Sequence, residues 1–191
     1  MRRGEILQAA ERIFLAEGYQ GATIRKIADE VGVSSTALYM HFRDKDEILL
    51  EICDSAIQLL LKQNSEISAR PIDAVARVRL MLDAYITFAL ENSNAYRLVF
   101  CAEGGMVSED KQTATEALGD LCYDKFVGAV REIGASGRLR TGTVESAAQA
   151  MWAACHGLVA LLLTKPNFHW APTSELRGVL LDGLFYGLVT D

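Results

Sequence analysis

An all-α fold is predicted by three features of the 191-residue sequence. Apolar residues recur three and four positions apart through most of its length, strand-like alternation is scarce, and only three prolines interrupt it. Half of the residues are hydrophobic, which supports a sizeable core without disulfide or metal staples.

The first helix is expected from about Arg3 to Glu17, with Ile6, Ala9, Ala10, Ile13 and Phe14 along one face and Gly18 ending it. Ile24, Ile27, Ala28 and Val31 line one face of a second, short helix, and Thr23 is its N-cap. Gly32 supplies the left-handed residue of a tight turn, Val33 plugs the corner and Ser34 caps the next helix. That helix, about Ser35 to Phe42, buries Ala37, Leu38 and Phe42 and presents Ser35, Thr36, Tyr39, Met40 and His41 outward. Two short helices crossing closely at Ala28 through a glycine turn form a helix-turn-helix, whose second helix suits the DNA major groove. Asp44 and Glu47 have capping-box spacing at the start of a fourth helix, Lys45 to about Lys62, with Ile48, Ile52, Ala56, Leu59 and Leu60 on one side. Its length makes it a lever into the next domain.

Pro71 suits the first turn of a helix reaching Asn92. A short helix near Ala95 to Cys101 precedes a loop at Gly104-Gly105. A long helix from about Ser108 to Ile133 follows, with Leu118, Leu121, Cys122, Phe126, Ala129, Val130 and Ile133 on one face. Gly134 to Gly142 is expected as a loop. Thr143 opens a helix to Thr164, which Pro166 stops. Residues 147–163 are apolar almost all round, as in a membrane span. Gln149, His156 and Gly157 interrupt the run, however, and it falls short of the ~20 residues a span needs, so a helix buried on several sides, partly by another subunit, is the better account. The last helix is expected from about Ser174 to Val189. Leu158, Leu161 and Leu162, with Leu176, Leu180, Gly183, Leu184 and Gly187, are predicted to form a four-helix dimer interface.

From Ile6 to Leu49 the sequence resembles the DNA-binding domain of the TetR family of bacterial transcription regulators. The resemblance is carried by Ile6-Leu7-Gln8-Ala9-Ala10, Phe14, Gly18-Tyr19, Ala22-Thr23-Ile24-Arg25, Ile27-Ala28, Val31-Gly32-Val33-Ser34, Leu38-Tyr39, His41-Phe42 and Lys45-Asp46-Glu47-Ile48-Leu49. Thr36 and Ala37 depart from the family pattern, which bears on base preference rather than fold. The resemblance implies an N-terminal helix-turn-helix domain, residues 1–47, and a larger helical effector-binding and dimerisation domain, residues 48–191. It also implies a homodimeric repressor, released from a palindromic double-stranded operator by a small apolar effector. Trp152, His156 and Gly157, followed by Leu158-Val159, resemble the C-terminal module named for its Trp-His-Gly residues, which implies no particular ligand.

The expected DNA contacts are Thr23, Arg25, Ser34, Ser35, Thr36, Tyr39, Met40, His41 and Lys45. Tyr39 and His41 can donate to phosphate, Ser35, Thr36 and Met40 can meet base edges or a thymine methyl, and Thr23, Arg25 and Lys45 position the backbone. Packing of Tyr39, and an ordinary solvated charge at Arg25, are the alternatives. The chain is acidic, at −6, and residues 1–50 hold seven Lys/Arg against eight Asp/Glu. Local placement of Arg25, Lys26, Arg43 and Lys45 must therefore attract the polyanion, with a clear salt dependence.

Met81, Tyr85, Phe88, Tyr96, Phe100, Tyr123, Phe126, Trp152 and His156 are the candidate effector-pocket residues. For any one of them core packing is the commoner explanation. His156 needs a polar partner, which a ligand or a structural hydrogen bond supplies equally well. Cys53, Cys101, Cys122 and Cys155 lack ligand or redox spacing and are expected as small buried apolar groups, with a redox sensor as the alternative. Three scattered histidines suggest no metal, and no cofactor is expected. Nucleophile-base pairs, paired carboxylates and phosphate loops are not found, which argues against an enzyme. A constitutive architectural DNA protein with a solid core is the remaining alternative. Arg2, Arg3, Glu5 and Glu11 break any signal-peptide pattern, so a cytoplasmic location is expected.

Overall fold

The structure, a computed structural model, describes residues 3–100, 109–140 and 142–190, and the side chains of all of these except 109–114. The Gly104-Gly105 loop, Cys101 and the expected helix start at Ser108 lie outside the described residues. Among the described residues all the regular elements are helices, in the order α1 (Arg3–Gly21), α2 (Ile24–Val31), α3 (Ser35–Tyr39), α4 (Lys45–Ser68), α5 (Ala74–Glu91), α6 (Ser93–Phe100), α7 (Glu109–Ala135), α8 (Val144–Thr164) and α9 (Thr173–Leu188). The chain divides into two compact units, Met1–Gln58 with Asn92–Gly119, and Leu59–Glu91 with Asp120–Asp191. The division falls inside α4 and α7, each of which belongs partly to both.

In the first unit α1 packs on α2 and α6, and α2 packs on α3. Ile6, Ala10, Ile27, Ala28, Leu38 and Ile48 are fully buried at its centre. α1 outruns its expected end: the helix continues to Gly21 after a kink at Gly18, which holds φ 69°. α3 is shorter than expected: it ends at Tyr39 with Met40 as its C-cap, and the His41 and Phe42 N–H groups turn back to the Leu38 carbonyl.

In the second unit α5 packs on both α8 and α9, which also meet each other. Val78, Met81, Ile86, Val130, Ile133, Met151 and Val159 form its buried centre. α5 does not start at Pro71. Asp73 accepts from the Val75 and Ala76 amides and caps it instead, so the helix opens at Ala74. α7 passes through Gly134, where a Cβ would come within 2.9 Å of Val144 Cγ2; the close approach of the next helix selects glycine there. The remainder of the expected loop is partly ordered, because Leu139 forms an isolated antiparallel bridge with Val189. Arg138 and Arg140 donate to the Thr190 and Val189 carbonyls and fasten the chain end. Thr143 and Ser146 form a reciprocal capping box on α8. α8 is long and apolar enough to cross a membrane by composition, and Ala147, Ala148, Met151, Cys155 and Val159 bury a single face of it, so within the chain it is not buried on several sides as expected.

Candidate nucleic-acid interface

The α2-turn-α3 unit is built from caps. Thr23 Oγ1 accepts from the Lys26 amide at 3.2 Å, and Ser34 Oγ accepts from the Ala37 amide at 3.1 Å. Gly32 sits at φ 79° and its N–H, with that of Val33, returns to the Asp29 and Ala28 carbonyls. Thr23 and Ser34 thus use an oxygen lone pair internally and keep a hydroxyl proton to donate outward.

Leu38 and Phe42 root α3 in the core, which turns the opposite side outward. Tyr39 is 56% exposed and Met40 82%, values large enough to exclude packing as the role of either side chain within the chain. Thr36 is exposed too, while Ser35, Ala37 and His41 are half-buried. The expected burial of Ala37 is therefore incomplete.

The cations are largely tied to neighbouring groups. Arg12 pairs with Glu30 at 3.0 Å, Lys26 with Glu17, and Arg25 stands 3.9 Å from Asp29. Lys45 turns toward α1 in the DNA-free chain: its Nζ donates to the Tyr19 and Ala22 carbonyls at 2.7 and 3.2 Å and lies 4.0 Å over the Tyr19 ring. It ties α4 to the end of α1 instead of facing outward. Glu47 also differs from a simple capping box, since it accepts from the Arg43 amide while its own N–H donates to Asp44.

Arg3 is a residue that helical periodicity missed. Its guanidinium donates to both Glu51 carboxylate oxygens and to the His41 carbonyl, and stacks 4.1 Å from the centre of the Phe42 ring. A lone arginine at a chain start carries no pattern that would reveal such a contact.

Residues 6–52 match a profile of bacterial regulatory proteins of the tetR family, and residues 78–181 match the tetracyclin repressor-like C-terminal domain. The chain belongs to the TetR family. It is 34% identical over 128 residues to the HTH-type transcriptional activator FasR of Mycolicibacterium smegmatis, covering 64% of this chain and 58% of FasR. It is 30% identical to the nucleoid occlusion factor SlmA of Vibrio vulnificus, covering 74% of this chain and 70% of SlmA. In fold it is similar to the TetR family regulator PfmR of Thermus thermophilus, with a TM-score of 0.82, 23% identity, and 100% and 99% of the two chains covered. The two matched segments are thus those of TetR-family DNA-binding regulators.

The candidate effector residues of this TetR regulator divide between the two units. Tyr96 and Phe100 pair in the first, with ring centres 4.9 Å apart. In the second, Phe126, Tyr123, Trp152 and His156 form a continuous chain of ring contacts, at 6.4, 5.4 and 5.9 Å. His156 Nδ1 lies 3.0 Å from the Tyr85 hydroxyl, so its polar demand is met internally. Burial lowers the His156 pKa and favours the neutral ring. Met81 and Phe88 are fully buried on α5. A separate groove of about 390 Å³ between α5 and α9 is lined by Ile72, Leu80, Leu181 and the Asp83–Arg177 pair, and contains none of the nine.

α8 and α9 leave apolar surface uncovered. Leu161, Gly183 and Gly187 are exposed, and Leu158, Leu162, Leu176, Leu180 and Leu184 are half-buried. Val179 and Tyr186, 68% and 83% exposed, extend that surface on α9. Cys53, Cys122 and Cys155 are buried, and desolvation pushes their thiols up to about 12, 11 and 12, which disfavours a reactive thiolate. Among the described residues no group of His, Cys, Asp and Glu could hold a metal.

Proposed function

We propose that the protein acts in the cytoplasm as a homodimeric repressor that binds a two-fold symmetric operator and is released by a small effector held in its C-terminal domain. The observation that carries this reading is α3, a helix rooted by Leu38 and Phe42 whose far side offers Thr36, Tyr39 and Met40 to a partner. Residues 1–47 are the DNA reader in this division and 48–191 the sensor and dimerisation domain. Tyr39, His41, Thr23, Ser34 and Arg25 serve the phosphates, and Ser35, Thr36 and Met40 face the bases. Two such helices enter successive major grooves about 34–36 Å apart when the subunits associate through α8 and α9.

The uncovered leucines and glycines of those two helices support the dimer, since exposed apolar surface of that extent favours association. Effector binding acts through α4, which runs from the reader into the second unit, provided that the ligand binds the two states with different affinity. Activation is the second reading, favoured by the likeness to a protein named as an activator.

Selection of duplexes from a random DNA pool tests the reading. Enrichment of a two-fold symmetric sequence by the wild type, and its loss in Tyr39→Ala, is the expected result. Failure to enrich any sequence at both low and moderate salt overturns it. A reporter driven from the selected site then separates repression from activation.

A further inference from the structure

Base pairs are told apart in the major groove by the groups at their edges: guanine offers two acceptors, adenine an acceptor and a donor, cytosine a donor, and thymine an acceptor with a C5-methyl group. Guanine and adenine are read by paired hydrogen bonds from Arg, Lys, Asn or Gln, and cytosine by Asp or Glu. From Ser34 to His41 the chain carries none of these six residue types. What α3 turns outward is hydroxyl and methyl. Thr36 and Met40 are four residues apart, and Met40 keeps a helical backbone at φ −69° and ψ −18°, so the two side chains lie one turn apart on the same outward side. Both are exposed, Met40 to 82%.

We infer that α3 selects A·T pairs by apolar contact of Met40 and the Thr36 methyl with thymine C5-methyl groups, and not by hydrogen bonds to base edges. This rests on the reading that α3 faces the bases, and it names the feature of the operator that the helix recognises. The hydroxyls of Ser35, Thr36 and Tyr39 can each donate and accept, so they suit a phosphate or any base edge and discriminate little. Met40 donates no hydrogen bond, and the apolar group that the major groove offers to its side chain is the thymine methyl. The cations nearest in sequence lie outside α3. Lys26 and Lys45 donate to the Gly21, Tyr19 and Ala22 carbonyls, Arg25 stands on α2 3.9 Å from Asp29, and Arg43 follows the turn. His41 is half-buried past the C-cap, and its carbonyl is held by Arg3. Charge at these flanking positions suits the phosphates, which leaves the methyl surface of α3 to carry direct base selection.

The test uses the full chain and an operator obtained by selection, in which each thymine is replaced in turn by deoxyuridine. That replacement removes one methyl and keeps every hydrogen-bonding group of the base. Fluorescence anisotropy is expected to show, at one or two positions of each half-site, about fourfold weaker binding per methyl removed. The penalty should shrink in Met40→Ala, and also in Thr36→Ser, which deletes a methyl and keeps the hydroxyl. Both residues are exposed, so the variants should fold as the wild type does. The ratio of the thymine and deoxyuridine affinities should hold as salt is raised, while each affinity falls. Equal binding of both duplexes at every position, a penalty unchanged in one or both variants, or a selected half-site made of G·C pairs alone overturns the inference and leaves the symmetric-operator reading standing. A pool that yields no operator overturns both.

Discussion

Arg3 grips Glu51 with two nitrogens and uses a third to hold the His41 carbonyl, so a single guanidinium joins the start of α1, the end of the reading helix and the face of α4. The same group lies over Phe42. Arg3 is substantially exposed, which limits what the ion pair itself contributes. Its position matters more than its energy.

Arg3→Ala is therefore expected to destabilise folding by no more than about 1 kcal/mol. Operator affinity should fall further than stability does, because the turn carrying His41 loses its tether. Urea denaturation beside fluorescence anisotropy on a selected operator separates the two. Equal losses would make Arg3 a stability residue alone.

Tyr39 and Lys45 should behave oppositely. Tyr39→Ala is expected to leave the melting temperature unchanged and to weaken operator binding about tenfold. Lys45→Ala should lower the melting temperature, since it strips the Tyr19 and Ala22 carbonyls of their donor. Its effect on the salt dependence of DNA binding should be smaller than that of Arg25→Ala, whose cation is exposed.

Gly32→Ala places a Cβ in open space, with no atom within 4 Å, yet at φ 79°. Any loss is then conformational, about 1 kcal/mol for a left-handed residue. The midpoint of chemical denaturation should fall accordingly, and a larger loss would show that the turn also resists the added methyl through contacts.

Gly183 is exposed and a Cβ there meets no atom within 4 Å, so a Gly183→Arg subunit should keep its helical content by circular dichroism. Sedimentation is expected to show a dimer for the wild type and a monomer for the variant. A dimeric Gly183→Arg would move the interface away from this part of α9.

His156 gives a pH dependence. Burial holds its pKa below the ordinary value, so the unfolded chain binds the proton first as pH falls. The stability contributed by the neutral ring is complete above about pH 6.5 and is lost as pH drops through the folded value. Between pH 7.5 and 5 the wild type should lose more stability than His156→Gln. Parallel losses would show that His156 titrates alike in both states.

The sequence by itself determined most of the helices and the helix-turn-helix, because those depend on neighbours within a few residues. Thr23, Gly32 and Ser34 act on amides and carbonyls three to five positions away, so their roles were legible in spacing. The alternation of Leu38 and Phe42 with Thr36, Tyr39 and Met40 fixes which side of α3 faces outward, with no reference to the rest of the chain. Long-range partners were not legible. The tertiary structure alone decided that Lys45 turns toward Tyr19 and Ala22, that Arg3 reaches Glu51, and that Asp73 rather than Pro71 opens α5. It alone separated Tyr96 and Phe100 from the other aromatic candidates. Helical periodicity specifies which face of a helix is apolar, but the distance between residues far apart in sequence depends on how the helices cross. Hydrogen bonds, whose range is about 3 Å, are decided only at that level.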